Sequence, residues 1–395
     1  MMTLTIRKNN TTLLHFLFIM WLASELLFEY STISQLSLLL FIGCSLLLTT
    51  GKYWSYSLTA YLLFALWSVA NIIFGHAVDV SIASKMTRTL FLNLLFLYAL
   101  VCYCRYVHNI KSVLTIYKWV VVAFCVLCLL GGISAVLSGS RLSILGINSN
   151  VIASMAAYAG ILAFNDILVG RSRSERQVNT YVCVFLLLTI LLTGSRKGLL
   201  IPIIGIYILI CFRKPRKFVL YSITAMIVVA VILFLVLNVE FLYNVIGYRV
   251  EPVLQYLAQE EFTEASLDSR SDYILLGWLS SQDSLIFGHG LDCFRTLRYA
   301  YGTYSHNNYI EILYSLGWVG ISIYYSSFAL SIIGLPKTWC SDKENTALVA
   351  GILIPFLVCD YMNVSYFSRY ILMIPIVMML YIRKRGDYSE NKEIY

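Results

Sequence analysis

Apolar runs of about twenty residues recur along almost the whole chain, and they limit it to one class of fold. A run of this length crosses the hydrocarbon core of a bilayer as an α-helix. Because lipid offers no hydrogen-bond partners, such runs must fold into helices that satisfy their own peptide groups. Of the 395 residues, 59% are hydrophobic and only 13% are charged, whereas a soluble domain carries about 25% charged residues. The sequence therefore predicts an all-α polytopic membrane protein.

The apolar runs predict about twelve transmembrane helices and one large loop. The first run carries Glu25 and lacks a small-residue cleavage site, which indicates a retained span rather than a signal peptide. Nine spans fall in residues 1–240, the large loop is 241–305, and three spans with a tail fill 306–395. The predicted spans are 13–30, 34–50, 54–75, 89–104, 113–137, 150–169, 179–194, 198–212, 218–240, 309–334, 345–362 and 366–382.

Positive charge is concentrated in the loops on one side of this topology. Most of the 29 Lys and Arg fall in the N-terminal segment, the even-numbered loops and the C-terminal tail, including "GRSRSER", "FRKPRK" and "RKRG". The positive-inside rule makes that side cytoplasmic and the large loop extracytoplasmic. The net charge of +8 reflects this bias and requires no nucleic-acid partner. Most cysteines lie inside spans, with only Cys293 in the large loop, so we expect no disulfides.

The large loop contains features that point to an anionic ligand. The stretches "VEPVLQYLAQEEF" and "SRSDYILLGWLSS" place apolar residues three and four apart, which predicts short amphipathic helices. The planar fork of arginine binds phosphate or carboxylate oxygens in pairs. Alternatively, each arginine pairs with a neighbouring acid and only holds the loop together. As a group, the arginines of this loop favour a phosphate-bearing ligand. The basic residues of the loop are all arginine: Arg249, Arg270, Arg295 and Arg298.

Two more basic turns lie on the same predicted side. "LLTGSRKGLL" places Arg196 between apolar spans, where a cation near lipid is costly. "SGSRLSILGINSN" places Arg141 before a helix that starts near Asn150, with Asn148 or Asn150 as the predicted cap. A helix N-terminus offers free N–H groups to an anion. The alternatives are that Arg196 reaches towards lipid phosphate and that Arg141 only forms a turn.

The stretch "SHNNYIEILYSLGWVG" places the most polar triplet of the chain at the mouth of an apolar helix. If the helix begins near His306, this residue shares one face with Leu313 and both glycines of "GWVG", and the glycines permit close helix packing. Histidine suits proton transfer because its ordinary pKa lies near neutrality. The alternative is that Ser305 or Asn307 caps the helix and His306 is only an interfacial polar residue.

These motifs occur in the order typical of the O-antigen ligase and polymerase family. "HNNYIEILYSLGWVG" is similar to its pattern of His-Asn, nine residues and Gly-x-x-Gly. "GINSN" and "TGSRKG" resemble two turns of the family. The resemblance covers about residues 140–325, whereas the first third of the chain resembles the family only in hydropathy. "SRSDYILLGWLSSQDSLIFGHGLDCF" resembles its Arg, Trp and Gly-x-Gly segment at Arg270, Trp278, Gly288 and Gly290.

The resemblance implies an inverting, metal-independent glycosyltransferase of the GT-C-like membrane class, without a cofactor. It implies a glycan donor on undecaprenyl diphosphate, used at the outer face of the cytoplasmic membrane of a bacterium. His306 would be the general base on the acceptor hydroxyl, and Asn307 would orient it. Membrane lipids, a chain-length regulator and a flippase of the same pathway are the implied partners. The arginines expected to bind the diphosphate are Arg141, Arg196, Arg249 and Arg270.

Three functions stay open at this point. A polymerase, which joins lipid-linked repeat units, must bind two lipid diphosphates and needs additional outer cations. A ligase would instead move the glycan to lipid A–core or another acceptor. A lipid-linked oligosaccharide flippase also has about twelve spans, and Asp166 and Asp360 lie within predicted spans. However, transporters have two related halves, and one long loop breaks that symmetry here. The additional cations that favour the polymerase are Arg141, Arg295, Arg298 and Arg369.

His289 is a second histidine in the large loop and raises the possibility of a metal site with Asp283 and Asp292. Their spacing matches no familiar ligand pattern, and "GHG" is typical of a flexible turn. The sequence therefore predicts no metal.

Overall fold

The computed structural model describes residues 2–29, 31–49, 53–138, 140–144, 146–257 and 265–383. The described residues are 84% helical and form no strand. Short 3₁₀ or π turns at Pro215–Lys217, Tyr243–Gly247, Gln282–Ser284, Cys293–Thr296 and Arg298–Ala300 connect some of the helices. The helices are α1 (Met2–Leu27), α2 (Thr32–Leu48), α3 (Tyr56–Ile73), α4 (Val80–Val107), α5 (Ile110–Leu137), α6 (Ser149–Val169), α7 (Arg173–Leu192), α8 (Arg196–Arg213), α9 (Phe218–Asn238), α10 (Glu240–Leu242), α11 (Tyr248–Leu257), α12 (Ala265–Ser281), α13 (Asn308–Ser341), α14 (Lys343–Asp360) and α15 (Arg369–Arg383).

Every predicted span coincides with a helix. Within the described residues, eight helices are long and apolar enough to cross a membrane: α1, α3, α4, α5, α6, α7, α9 and α13. Of the other four, α2 has a shorter apolar run, as does α15. Helices α8 and α14 each carry three charged residues near their ends. The all-α polytopic membrane class is therefore confirmed.

Polar side chains cap the N-termini of several helices. The side-chain oxygen of the residue before the helix accepts a hydrogen bond from a backbone N–H of the first turn, which would otherwise have no partner. The capping residues are Ser55 for α3, Asp79 for α4, Asn148 for α6, Ser172 for α7 and Ser195 for α8. Asn148 is one of the two caps that the sequence predicts.

The chain divides into two compact units. Unit 1 comprises Met1–Phe41, Asn109–Thr263 and Pro336–Pro355. Its centre is α6, which packs against α5, α7 and α8. Small residues set this packing: a Cβ on Gly198 would lie 2.4 Å from the Cβ of Ala153, and one on Gly205 would lie 2.5 Å from the carbonyl oxygen of Gly351. Such contacts let helix backbones approach closely in a membrane.

Unit 2 comprises Ile42–His108, Glu264–Leu335 and Phe356–Tyr395. Helix α3 packs against α4, and α4 against α15. The connection between α12 and α13 is anchored by a buried cluster of Ala83, Cys293, Phe294, Ala300 and Tyr314, and Tyr273 of α12 packs against it. This core fixes the connection that carries the histidine motif.

Candidate active site

His306 lies two residues before the start of α13, in the left-handed backbone conformation with φ 57°. Helix α13 begins at Asn308, so His306 does not share a helical face with Leu313 and the two glycines, and that prediction is wrong. The left-handed conformation costs roughly 1–2 kcal/mol for a residue with a side chain. It persists only where the surrounding structure fixes it.

Hydrogen bonds from both neighbours fix the backbone of His306. The Ser305 hydroxyl donates to the Asn307 carbonyl at 2.8 Å. The side-chain oxygen of Asn307 accepts from the N–H groups of Tyr309 at 2.9 Å and Ile310 at 3.1 Å, which caps α13. Asn307 therefore caps the helix, as one of the two sequence interpretations predicts. Its fixed position also sets the direction in which the side chain of His306 leaves the backbone.

Glu311 completes this arrangement, and sequence reasoning missed it. Its carboxylate is fully buried, and Oε2 accepts from the backbone N–H of Ser305 at 2.8 Å. No described residue forms a hydrogen bond with Oε1. Burying a carboxylate is costly unless it is hydrogen-bonded. The available signal was an acidic residue in the first turn of an apolar span.

Two tyrosines flank the imidazole of His306. The ring of Tyr304 lies 4.4 Å away between centroids at 51°, and that of Tyr273 lies 6.2 Å away at 21°. Tyr273 is held by an edge-on contact with Phe294 at 6.2 Å. His306 itself is only partly buried, so its ring is oriented by aromatic neighbours while one side remains accessible.

Two arginines, Arg270 and Arg295, act electrostatically on the phenol of Tyr304. Arg270 lies one turn before Tyr273 on α12. Burial raises the pKa of the Tyr304 phenol, the charge of Glu311 adds to this shift, and the charges of Arg270 and Arg295 oppose it. Unit 2 thus brings His306, Arg270 and Arg295 around one tyrosine.

Arg295 is engaged by an acidic neighbour. Its Nη2 lies 2.7 Å from Oδ1 of Asp292, while its Nε is buried without a described partner. Burial raises the pKa of Asp292, although the Arg295 guanidinium opposes the shift. For Arg295, the structural alternative of pairing with an acid is therefore present, while its side chain remains 37% exposed.

A break in α13 at Gly317 fixes the opposite end of the histidine motif. Gly317 has φ 66° and ψ −168°, a conformation that glycine alone adopts readily. A Cβ there would lie 2.2 Å from the carbonyl oxygen of Ile286. The N–H of Trp318 donates to the carbonyl of Leu285 at 2.8 Å rather than within the helix.

The break leaves backbone carbonyls of α13 without partners inside the helix, and N–H groups of the "GHG" segment donate to them. The N–H of His289 donates to the Tyr314 carbonyl, and that of Gly290 donates to the Ser315 carbonyl, both at 2.9 Å. The Nε2 of His289 lies 3.0 Å from the Ser280 carbonyl, and burial lowers the pKa of this histidine. A carbonyl only accepts hydrogen bonds, so Nε2 carries a proton and faces the protein. His289 is a structural residue, and "GHG" is an anchored segment rather than a flexible turn.

Unit 1 brings the turns "GINSN" and "TGSR" together. Arg141 donates from Nε to the Thr193 carbonyl at 2.8 Å and from Nη2 to the side-chain oxygen of Asn150 at 3.2 Å. The hydroxyl of Ser195 donates to the same Asn150 oxygen at 2.8 Å. Arg196 is the first residue of α8. Two predicted arginines thus lie at the N-termini of α6 and α8, where free N–H groups favour anions.

The remaining candidate residues have separate surroundings. Arg249 lies on α11 of unit 1, and its side chain is outside the described residues. In unit 2, Arg298 is exposed, with its guanidinium 5.6 Å from the Tyr299 ring, and Arg369 is buried at the start of α15. Buried Asp360 accepts hydrogen bonds from Asn308 at 3.1 Å and from Tyr325 at 2.9 Å.

The described residues contain no group of three or more His, Cys, Asp and Glu side chains that could hold a metal ion. All ten cysteines lie in the described part of the chain and are free thiols.

The sequence was compared with models of known protein families. A family model described as O-Antigen ligase matches residues 181–325. The matched region runs from α7 into α13 and contains Arg196, Arg249, Arg270 and His306 with Asn307, whereas Arg141 precedes it. No curated protein matches the chain.

Proposed function

We propose that this membrane protein polymerises undecaprenyl-diphosphate-linked oligosaccharide repeat units into a surface polysaccharide, since residues 181–325 match the O-Antigen ligase family model. The family supports ligase- or polymerase-type function in general. The proposed place is the outer face of a bacterial cytoplasmic membrane. The observation that carries the proposal is the backbone of His306, held in a costly conformation by Ser305 and Asn307.

The reaction is an inverting single displacement without a metal ion. The acceptor hydroxyl oxygen attacks the anomeric carbon of the donor while His306 takes its proton. A carbon–oxygen bond forms to the acceptor, and the bond to the diphosphate breaks with its electron pair on the diphosphate oxygen. Asn307 fixes the position of His306 through the backbone, and Glu311 supports the same turn through Ser305.

Arg270 stabilises the leaving diphosphate. Its charge acts on Tyr304, whose ring lies 4.4 Å from the imidazole, so base and cation share one neighbour. Negative charge develops on the diphosphate as the bond breaks, and a fixed guanidinium fork stabilises that charge through paired hydrogen bonds.

A polymerase binds two lipid diphosphates, and the chain offers more than one group of arginines. Arg270 and Arg295 belong to unit 2. Arg141 and Arg196 flank the helix N-termini of unit 1, and Arg249 follows on α11. We assign the unit 1 arginines to a lipid diphosphate as well. A chain-length regulator and a flippase of the same pathway are the proposed protein partners.

Exposed aromatic rings suit the glycan. Tyr301 is 82% exposed and Tyr299 is 60% exposed, both in the connection before His306. Large aromatic faces bury much apolar area for little conformational entropy, and the C–H face of a pyranose ring offers a matching surface. These tyrosines are therefore the proposed contacts of the repeat unit.

The matching family is that of the O-antigen ligases, so transfer to a separate acceptor is the second candidate. Purified protein in nanodiscs is incubated with lipid-linked repeat units, and the products are separated on a gel. A ladder of lengths supports polymerase activity. Transfer only to an added acceptor shows a ligase. The absence of any covalent product, while the lipid-linked units move between leaflets, would contradict both and favour a flippase.

A further inference from the structure

Unit 1 contains a cavity of about 520 Å³ at the end of α6 that is remote from Asn150. Five helix ends form it: the starts of α5, α7 and α14 and the ends of α6 and α8. Helix α6 has 21 residues and is therefore about 30 Å long. The cavity is thus separate from the arginines at the N-termini of α6 and α8, and no role in the proposed reaction uses it.

Lys118 is the most buried of the charged residues that line this cavity. Its side chain is 4% exposed although it lies within a predicted span. Its Nζ donates to Oδ2 of Asp166 and to the side-chain oxygen of Asn179, both at 2.6 Å. An ammonium has three N–H donors, so two described partners leave one donor for the cavity. Ionisable groups inside a membrane are costly and usually serve a function.

Arg213 supplies further donors. It is the last residue of α8, and its Nη2 donates to the side-chain oxygen of Asn165 at 2.6 Å. Its Nε is buried and has no hydrogen-bond partner among the described residues. A guanidinium has five donors and no acceptor. Leaving such a donor unmatched costs free energy, and an acceptor-rich ligand in the cavity would match it.

The acids around the cavity leave the third N–H of Lys118 and the Nε of Arg213 without a described partner. Asp166 is paired with Lys118, and Oε2 of Glu175 accepts from the backbone N–H of Arg171 at 3.1 Å. Glu344 is exposed and attracts Arg213 electrostatically, but the described residues give Arg213 no salt bridge at contact distance. The inner wall therefore has an excess of donors and of positive charge.

Tryptophans indicate the depth of the cavity. Trp119 lines it, is 44% exposed, and lies beside Lys118 with Nζ 5.5 Å from its ring centroid. Trp339 donates from Nε1 to the Phe212 carbonyl at 2.8 Å, next to Arg213. Tryptophan is enriched at the level of lipid headgroups, and the positive-inside pattern predicts this level to be on the cytoplasmic side.

We infer that this cavity binds a phosphate ester, whose oxygens accept hydrogen bonds from Lys118 and Arg213. Phosphate oxygens are strong acceptors, and bonds to charged donors are the strongest of their kind. The same chemistry is offered by the headgroup of a phospholipid and by a free phosphate compound. The site does not depend on the proposed glycosyl transfer.

Native mass spectrometry of the full chain in detergent tests this inference, with phosphatidylglycerol titrated as the lipid and diacylglycerol as the phosphate-free control. We expect phosphatidylglycerol but not diacylglycerol to bind, and Arg213→Gln to weaken binding about tenfold, since the variant loses charged hydrogen bonds to the phosphate. Arg216→Gln is the matched control: it lies on the exposed turn after α8 and does not line the cavity. Equal binding by wild type and Arg213→Gln overturns the inference.

A second arm separates the two sources of phosphate. The same variants are titrated with glycerol 3-phosphate, and the shift of the thermal unfolding temperature is measured. A shift that requires Arg213, without lipid binding, identifies a free phosphate compound. No effect of either ligand on the wild type also overturns the inference. Arg213→Lys guards against misfolding of Arg213→Gln: it keeps the charge, loses the planar fork, and is expected to bind with intermediate strength.

Discussion

The backbone N–H of Ser305 donates to Oε2 of Glu311 at 2.8 Å. This hydrogen bond closes a loop of the chain that contains His306. The carboxylate is fully buried and holds the residue before the histidine against the first turn of α13. His306 is thereby kept in a left-handed conformation that its side chain does not favour. The position of the imidazole is therefore determined by a residue five positions further along the chain.

Glu311→Gln keeps an oxygen that accepts from Ser305, so we expect glycan transfer within about threefold of wild type. Glu311→Leu has a similar volume but no acceptor, and a buried N–H without a partner costs roughly 1–3 kcal/mol. We expect that variant to lose transfer almost completely. Initial rates of the two variants in nanodiscs measure the difference. If Gln is as damaging as Leu, the carboxylate charge matters and Glu311 is not only a positioning residue.

Asn307→Ala removes the cap of α13 and should lower stability by about 1 kcal/mol. We expect transfer to fall tenfold or more, because the direction of His306 is no longer fixed. Asn307→Asp keeps the accepting oxygen and should retain most activity. Ser172→Ala is the matched control, since Ser172 caps α7 with a 3.0 Å bond to the Glu175 N–H. A Ser172→Ala loss of activity equal to that of Asn307→Ala would mean that capping acts only through stability.

Gly317→Ala should destabilise the protein by about 3 kcal/mol or more, because the backbone conformation excludes a side chain and a Cβ would lie 2.2 Å from the Ile286 carbonyl. Gly334→Ala in the same helix meets no atom within 4 Å and should change stability by less than about 1 kcal/mol. Thermal unfolding in detergent measures both variants. Equal unfolding temperatures would show that α13 is not broken at Gly317.

Arg270→Lys should reduce transfer nearly as much as Arg270→Ala, by roughly tenfold or more, because a lysine cannot form paired hydrogen bonds with a diphosphate. Arg298→Lys is the control, since this arginine is exposed beside Tyr299 and should tolerate the change. Initial rates at several donor concentrations measure the effect. Full activity in Arg270→Lys would limit the role of Arg270 to a simple positive charge.

The membrane class, the helix positions and the Asn148 cap could all be predicted from the sequence, because each depends on local composition. The meeting of Arg141 with Asn150 and Ser195 joins two motifs that the sequence singles out separately. The break at Gly317 could not be predicted, since a glycine in an apolar run is also typical of close helix packing. Its cause is the exchange of backbone hydrogen bonds with Leu285 and His289, which are distant in sequence.

Glu311 was missed for a related reason. An acid in the first turn of a helix is favourable for the helix alone, so nothing local marks it as a support for Ser305. Similarly, the left-handed conformation of His306 follows from hydrogen bonds on both of its sides rather than from any preference of histidine.

The central claim is that His306 accepts the proton of the attacking hydroxyl, and two matched substitutions test it. His306→Phe keeps a ring between Tyr273 and Tyr304 but removes the proton acceptor. His76→Phe makes the same change at a histidine that stacks on Phe287 at 4.6 Å. The measurement is the initial rate of glycan transfer by each purified variant on lipid-linked repeat units. We predict a loss of about 10²–10⁴-fold for His306→Phe and near-normal transfer for His76→Phe; near-normal transfer by a folded His306→Phe variant would contradict the claim.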